Sequence, residues 1–120
     1  MAARYQLRIS QSARRDMLVV ARWSLQEFGV AAAKRYDALL AQGLRDIAED
    51  PECPGSRERA ELSAGVRSYH LRLSRNRVSP DIGTVRHARH ALVYRVRQGA
   101  VEVLRMIHDS QDLERHLVNE

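Results

Sequence analysis

Lysine is all but missing from this chain of 120 residues: Lys34 stands alone, so nineteen of the 20 basic side chains are arginines. Cysteine is reduced to Cys53, between Glu52 and Pro54, which excludes an internal disulfide and agrees with a reducing compartment. A single loop cysteine with no base beside it reads as incidental. No Cys/His spacing resembles a zinc site, and nothing points to another metal or to a cofactor. No apolar run approaches the roughly 18–20 residues that cross a bilayer, so no membrane partner is expected. The opening Met-Ala-Ala-Arg-Tyr-Gln-Leu-Arg-Ile has no apolar signal-peptide core, so the expected location is cytoplasmic. Length gives one domain over 1–120, with enough apolar content for a core.

What the chain does have is positive charge in one place. From Arg67 to Arg105 there are nine arginines against Asp81 and Glu102, a segment of +7 in a chain of +5, so the remainder is −2. Guanidinium forks suit carboxylates and phosphates. The basic half therefore predicts an anionic partner, either nucleic acid or an acidic protein segment.

Periodicity gives the elements. Tyr5, Leu7 and Ile9 alternate with Arg4, Gln6 and Arg8, as in a half-buried strand. Ser10 offers a helix N-cap and Asp16 a charge near the helix start. Met17, Val20, Ala21, Ser24/Leu25 and Phe28 then form a helical stripe up to Gly29, a stop signal. Ala32, Ala33, Tyr36, Leu39, Leu40, Leu44 and Ile47 form a second stripe, ended by Asp50-Pro51. With only Gly29 between them, the two helices should fold into an antiparallel hairpin. Residues 51–65 are polar and turn-rich. Strands are expected at 66–73, 91–96 and 101–107, with Gln98-Gly99 as a two-residue hairpin turn and a long basic loop or hairpin tip over 74–89.

The last strand, Val101 to Ile107, carries Arg105 in mid-run and leads into His108. The chain then turns over Asp109-Ser110 into a short helix reaching Leu117. The order is β-α-α-β-β-β-α, an α+β fold with a helical hairpin on one face of a small, mainly antiparallel, twisted sheet. The other face is left wet or open to a partner. Ser68, His70 and Arg72 alternate with Tyr69 and Leu71, and Val93, Arg95 and Arg97 with Leu92 and Tyr94. With Arg105 in the same sheet, this implies a concave, arginine-rich face.

Several short stretches resemble one family when taken in order: Ile9-Ser10-x-x-Ala13-x-x-Asp16, Phe28-Gly29 with Ala33-x-x-Tyr36-x-x-Leu39, Asp50-Pro51, Gly55-x-Arg57, Glu61-Leu62 and Gly65-Val66-Arg67-Ser68-Tyr69. His90-Ala-Leu-Val-Tyr94-Arg95 follows, then the ending Val103-Leu-Arg105-Met-Ile107-His108-x-x-x-Asp112-x-x-Arg115-His116-Leu117. Together they resemble the ParE-type toxins of the ParE/RelE superfamily, from bacterial toxin–antitoxin pairs. The resemblance implies a toxin without catalytic residues that binds DNA gyrase and blocks its cycle, leaving broken DNA. It also implies a ParD-like antitoxin whose acidic C-terminal segment folds onto the toxin, and contact with operator DNA only through that antitoxin. The basic 72–89 stretch is longer than the short turn common in the family.

Arg67, Arg72, Arg95, Arg105 and His108 are the residues expected to bind antitoxin or target. Trp23 lies off the helical stripe and has two readings, core residue or antitoxin contact. The gyrase contacts are expected on the final helix and the arginine face. The alternative is a RelE-like ribosome-dependent mRNA endonuclease, in which His108 would serve as base or acid and the arginines as phosphate ligands. The lysines often used by such relatives are missing from the sheet, no tyrosine follows His108, and Ser110 has no base partner. His87 and His90 flank Arg89 in the basic stretch and are expected to be solvated.

Overall fold

A computed structural model of the chain describes residues 5–110. The expected final helix, with Asp112, Arg115, His116 and Leu117, lies outside the described residues apart from its first two positions.

Strand β1 (Gln6–Ile9) is followed by α1 (Gln11–Glu49), a two-residue strand β2 (Arg57–Glu58), β3 (Val66–His70), a 3-10 helix (Leu71–Arg77), β4 (His90–Arg97) and β5 (Ala100–His108). The sheet order is β1-β5-β4-β3-β2; β1 runs parallel to β5 and the other pairs are antiparallel. Gln98 and Gly99 both have positive φ, 54° and 74°, the geometry of the two-residue turn expected between the last two strands.

Ser10 starts α1 as expected: its Oγ accepts from the Ala13 N–H at 3.0 Å and donates to the Leu104 carbonyl at 2.8 Å. Asp50 ends the helix, its N–H donating to the Asp46 carbonyl. Drawn straight, 39 residues of helix would span about 57 Å. Along the longest principal axis the fold extends only 38 Å. Both ends of α1 also meet β1, one through Ser10 and the other through Tyr5, whose N–H donates to the Ala48 carbonyl at 3.3 Å. The helix therefore folds back on itself, and the break is at Gly29, with φ 88° and ψ 178°. That backbone region is open essentially to glycine alone.

The two arms cover one sheet face. Ala13, Tyr36, Leu39 and Ile47 pack with Tyr69, Leu71, Leu92, Tyr94, Val101, Val103 and Met106 in the main core. Val66, Val93 and Ile107 form a smaller cluster on the opposite face, with Leu62 and Leu104 against it. Leu25 and Phe28, placed on the buried stripe by spacing, are exposed instead. The inward face of the first arm runs through Ala13, Met17, Val20 and Ser24.

The strand expected over 66–73 stops at His70, because the chain is taken over by Asp46 of the second arm. That carboxylate is buried and accepts from the Ser74 hydroxyl at 2.6 Å and from Arg77 at 3.0 Å, while Ser74 also bonds the Tyr69 hydroxyl at 2.8 Å. The contact is close: a Cβ at Gly43 would sit 2.7 Å from the Leu71 side chain. The first half of the long basic stretch is thus a 3-10 helix docked on α1, not a hairpin tip.

Gly29→Ala should lower stability by about 1–3 kcal/mol through backbone strain alone, since a methyl group there meets nothing within 4 Å. The check is the urea unfolding midpoint. An unchanged midpoint would show that the bend does not require glycine's conformational range.

Candidate functional site

Three hollows on the described surface differ in their chemistry. The first lies at the elbow of α1. Trp23, Phe28, Arg35 and Tyr36 line it from the helix, and Val85, Arg86 and Arg89 from the segment before β4, around a cavity of about 650 Å³. Among the described residues, no carboxylate lines it. Trp23 and Phe28 meet edge to face at 5.3 Å and remain 42% and 63% exposed. Aromatic pairs of this kind add to area burial when a partner covers them. Leu18, Val19, Leu25 and Val30 extend the exposed apolar surface along the same helix.

His90 closes the elbow from below. It is only 5% exposed, which corrects the expectation of a solvated side chain. The Tyr36 hydroxyl donates to His90 Nδ1 at 2.5 Å and accepts from the Arg89 N–H at 3.1 Å. The imidazole also packs edge to face against Trp23, Tyr36 and His108. Burial, reinforced by His108, pushes the His90 pKa down to about 4, so it is neutral at physiological pH. Burial also raises the pKa of Tyr36, which keeps its proton for this bond.

The second hollow, about 390 Å³, lies on the far face of the sheet. Arg57, Arg59, Arg72, His70, His108 and Asp109 stand around a floor of Ser68, Ala91 and Ile107. The His70 ring is fixed at both nitrogens: Nδ1 accepts from the Arg72 N–H at 3.1 Å and Nε2 faces Asp109 Oδ2 at 3.3 Å. Burial holds its pKa below the usual histidine value. The third hollow, about 920 Å³, is at the base of the sheet and is acidic, with Glu49, Asp50, Glu52 and Glu58 around Arg67.

The sequence matches the family model described as the ParE toxin of type II toxin-antitoxin system, parDE, over residues 7–113. The chain belongs to the ParE toxin family. A solved structure of the chromosomal ParDE TA system from P. aeruginosa has a similar fold, with a TM-score of 0.63 and 13% identity, covering 88% of this chain and 96% of that one. No protein of curated function matches the chain in sequence. Among the described residues, no helix is long and apolar enough to cross a membrane.

In this ParE family member the six expected binding residues do not form one face. Trp23 lines the elbow. Arg72 and His108 border the far-face hollow. Arg95, on β4, is paired with Glu102 at 2.7 Å. Arg67 lies in the acidic basal hollow and donates to the Ser56 hydroxyl at 2.8 Å. Arg105 is the main correction. It is only 8% exposed, and its Nε and one terminal nitrogen donate to the two Asp16 oxygens at 2.7 and 2.9 Å. The expected concave arginine face therefore loses Arg105 and gains Arg57 and Arg59. The alternation Arg57-Glu58-Arg59 was the only available signal for that edge strand. Phe28, Arg35, Arg86 and Arg89 join Trp23 through the fold, with no common spacing.

Because His90 is protonated less readily in the folded chain than in the unfolded one, stability should fall as pH drops from about 6.5 to about 4. The loss at this site approaches about 3 kcal/mol, and His70, also depressed, acts in the same direction. His90→Gln, which retains polar atoms for Tyr36, should lose less stability across that window than the unsubstituted chain in urea titrations. Equal losses would place the acid sensitivity elsewhere.

Proposed function

We propose that this toxin acts by binding: it engages DNA gyrase in the cytoplasm, holds the enzyme with its DNA cleaved, and is neutralised by the acidic C-terminal segment of a ParD-like antitoxin. The observation that carries the antitoxin contact is the elbow hollow. An exposed Trp23–Phe28 pair supplies the apolar anchor that a disordered segment needs to offset its ordering entropy. Arg35, Arg86 and Arg89, unopposed by any lining carboxylate among the described residues, supply the charge complement. Trp23 is thus a direct antitoxin contact, whereas Arg105 acts by positioning the helix. Operator DNA is reached through the antitoxin.

The test is gyrase supercoiling and DNA cleavage with purified toxin, with and without the antitoxin. The unsubstituted toxin should inhibit supercoiling and accumulate cleaved plasmid, and the antitoxin should relieve both. Trp23→Ala should weaken antitoxin binding by about 30-fold, the loss typical of a buried aromatic anchor. The same variant should still poison gyrase. Unaltered supercoiling, accompanied by cleavage of mRNA on ribosomes, would overturn the gyrase reading; antitoxin affinity unmoved by Trp23→Ala would overturn the elbow contact.

A further inference from the structure

We propose that the first arm of α1, together with β1, is exchanged between two copies of this chain: α1 straightens at Gly29, and the sheet of each copy receives the arm of the other. This goes beyond the proposed function and does not depend on it.

The exchanged unit is residues 5–28, and the contacts that hold it can be remade on a second copy. Strand β1 pairs with β5, Tyr5 bonds Ala48, Ser10 bonds Val103 and Leu104, and Asp16 bonds Arg105 and Met106. Ala13, Met17 and Val20 pack in the main core. One residue, Gly29, joins this unit to the second arm, and nothing lies within 4 Å of where its Cβ would stand. Exchange therefore changes the backbone at a single position and keeps the rest. Trading an identical element in this way is a low-cost route to a dimer. Only another copy of this chain offers the sheet that residues 5–28 are shaped to cover.

The bend is where the single chain is worse off than the exchanged pair. A break in a helix leaves backbone N–H and C=O groups without axial partners. The residues at the bend, Glu27-Phe28-Gly29-Val30, bring no Ser, Thr, Asp or Asn side chain to cap the second arm. A straight helix pairs those groups along its own axis, and Ala31, Ala32 and Ala33, directly after the bend, are the strongest of helix formers. Leu25, Phe28 and Val30 crowd the bend and are exposed. In the exchanged dimer the two straight helices run antiparallel, each first arm beside the other copy's second arm, and both Gly29 residues lie at the two-fold axis. Phe28 and Val30 of one copy then come against those of the other, and apolar surface left open in the single chain is covered.

The test is size-exclusion chromatography with light scattering on the full chain, refolded from urea at low and at high concentration. The unsubstituted chain should give a dimer as a minor fraction after refolding at high concentration. Alanine is strained in the bent backbone and favoured in the straight one, once in each copy, so Gly29→Ala should tighten dimerisation by about a thousandfold or more. The stability loss expected above for Gly29→Ala belongs to the bent chain in dilute solution, and its urea midpoint should climb with concentration as the dimer forms. Asp16→Asn and Arg105→Met, each placed in the Gly29→Ala background, tell arm exchange from side-by-side association. Refolded together, an exchanged heterodimer restores one intact Asp16–Arg105 pair over one sheet and gathers both substitutions over the other, so the mixture should resist urea better than either variant alone. A mixture no more resistant than its components would mean association without exchange and would overturn the proposal. So would a Gly29→Ala chain that stays monomeric at high concentration or folds at none, and so would a dimer that the unsubstituted chain never forms.

Discussion

The Asp16 carboxylate is where the helix and the sheet are fixed to each other. Strand β1 covers the edge of β5 only from Ala100 to Val103. Beyond that point the backbone of β5 would be an open edge, which proteins normally cover or blunt. Here the start of α1 takes over the pairing. The Ser10 N–H donates to the Val103 carbonyl, the Ser10 hydroxyl to the Leu104 carbonyl, and the Met106 N–H to Asp16 Oδ2 at 3.0 Å. The register between β4 and β5 slips by one residue at this level, so that Val93 pairs with Arg105 while Tyr94 pairs with Val103. Arg105 then closes on both oxygens of Asp16. A charge placed in the middle of an apolar strand is tolerable because it is paired in two directions and its partner also satisfies the backbone.

Much follows from that anchor. With the first arm of α1 fixed against β5, the break at Gly29 brings the second arm back over the sheet. Tyr36, Leu39 and Ile47 then enter the main core, and Asp46 captures the 3-10 helix through Ser74 and Arg77. The same geometry leaves Trp23 and Phe28 outside, above a neutral His90. The sheet thus separates two hollows lined by arginine. The one at the elbow combines cations with exposed aromatics. The one on the far face combines cations with two imidazoles and the exposed Leu73.

The elements set by local pattern were legible in the sequence: β1, both arms of the helix, the break at Gly29, the stop at Asp50-Pro51 and the Gln98-Gly99 turn. Each depends on residues within a turn or two of one another. What was not legible depends on partners far along the chain. Arg105 looked like a surface arginine because Asp16, 89 positions away, looked like an ordinary helix-start charge. The end of β3 at His70 is imposed by Asp46, 28 positions before Ser74. Strand β2 is two residues long and exists only through its pairing with Arg67 and Ser68. Phe28 satisfied the helical spacing, but the helix ends its packing before reaching it, so an aromatic assigned to the core became part of the candidate site. Trp23, off the stripe, had two readings in the sequence, core or contact, and the fold leaves it partly exposed at the elbow.

The most direct measurement of this account is a double-mutant cycle on Asp16→Asn and Arg105→Met, read by urea unfolding at neutral pH. If the pair joins helix to sheet as described, each single change should cost about 3 kcal/mol, because it leaves a buried or half-buried charged partner uncompensated. The double change should then cost less than the sum of the two by about 1–3 kcal/mol. Single changes each costing under about 0.5 kcal/mol, and adding without coupling, would have the size of ordinary surface substitutions. That result would contradict the claim that the rest of the fold depends on this pair.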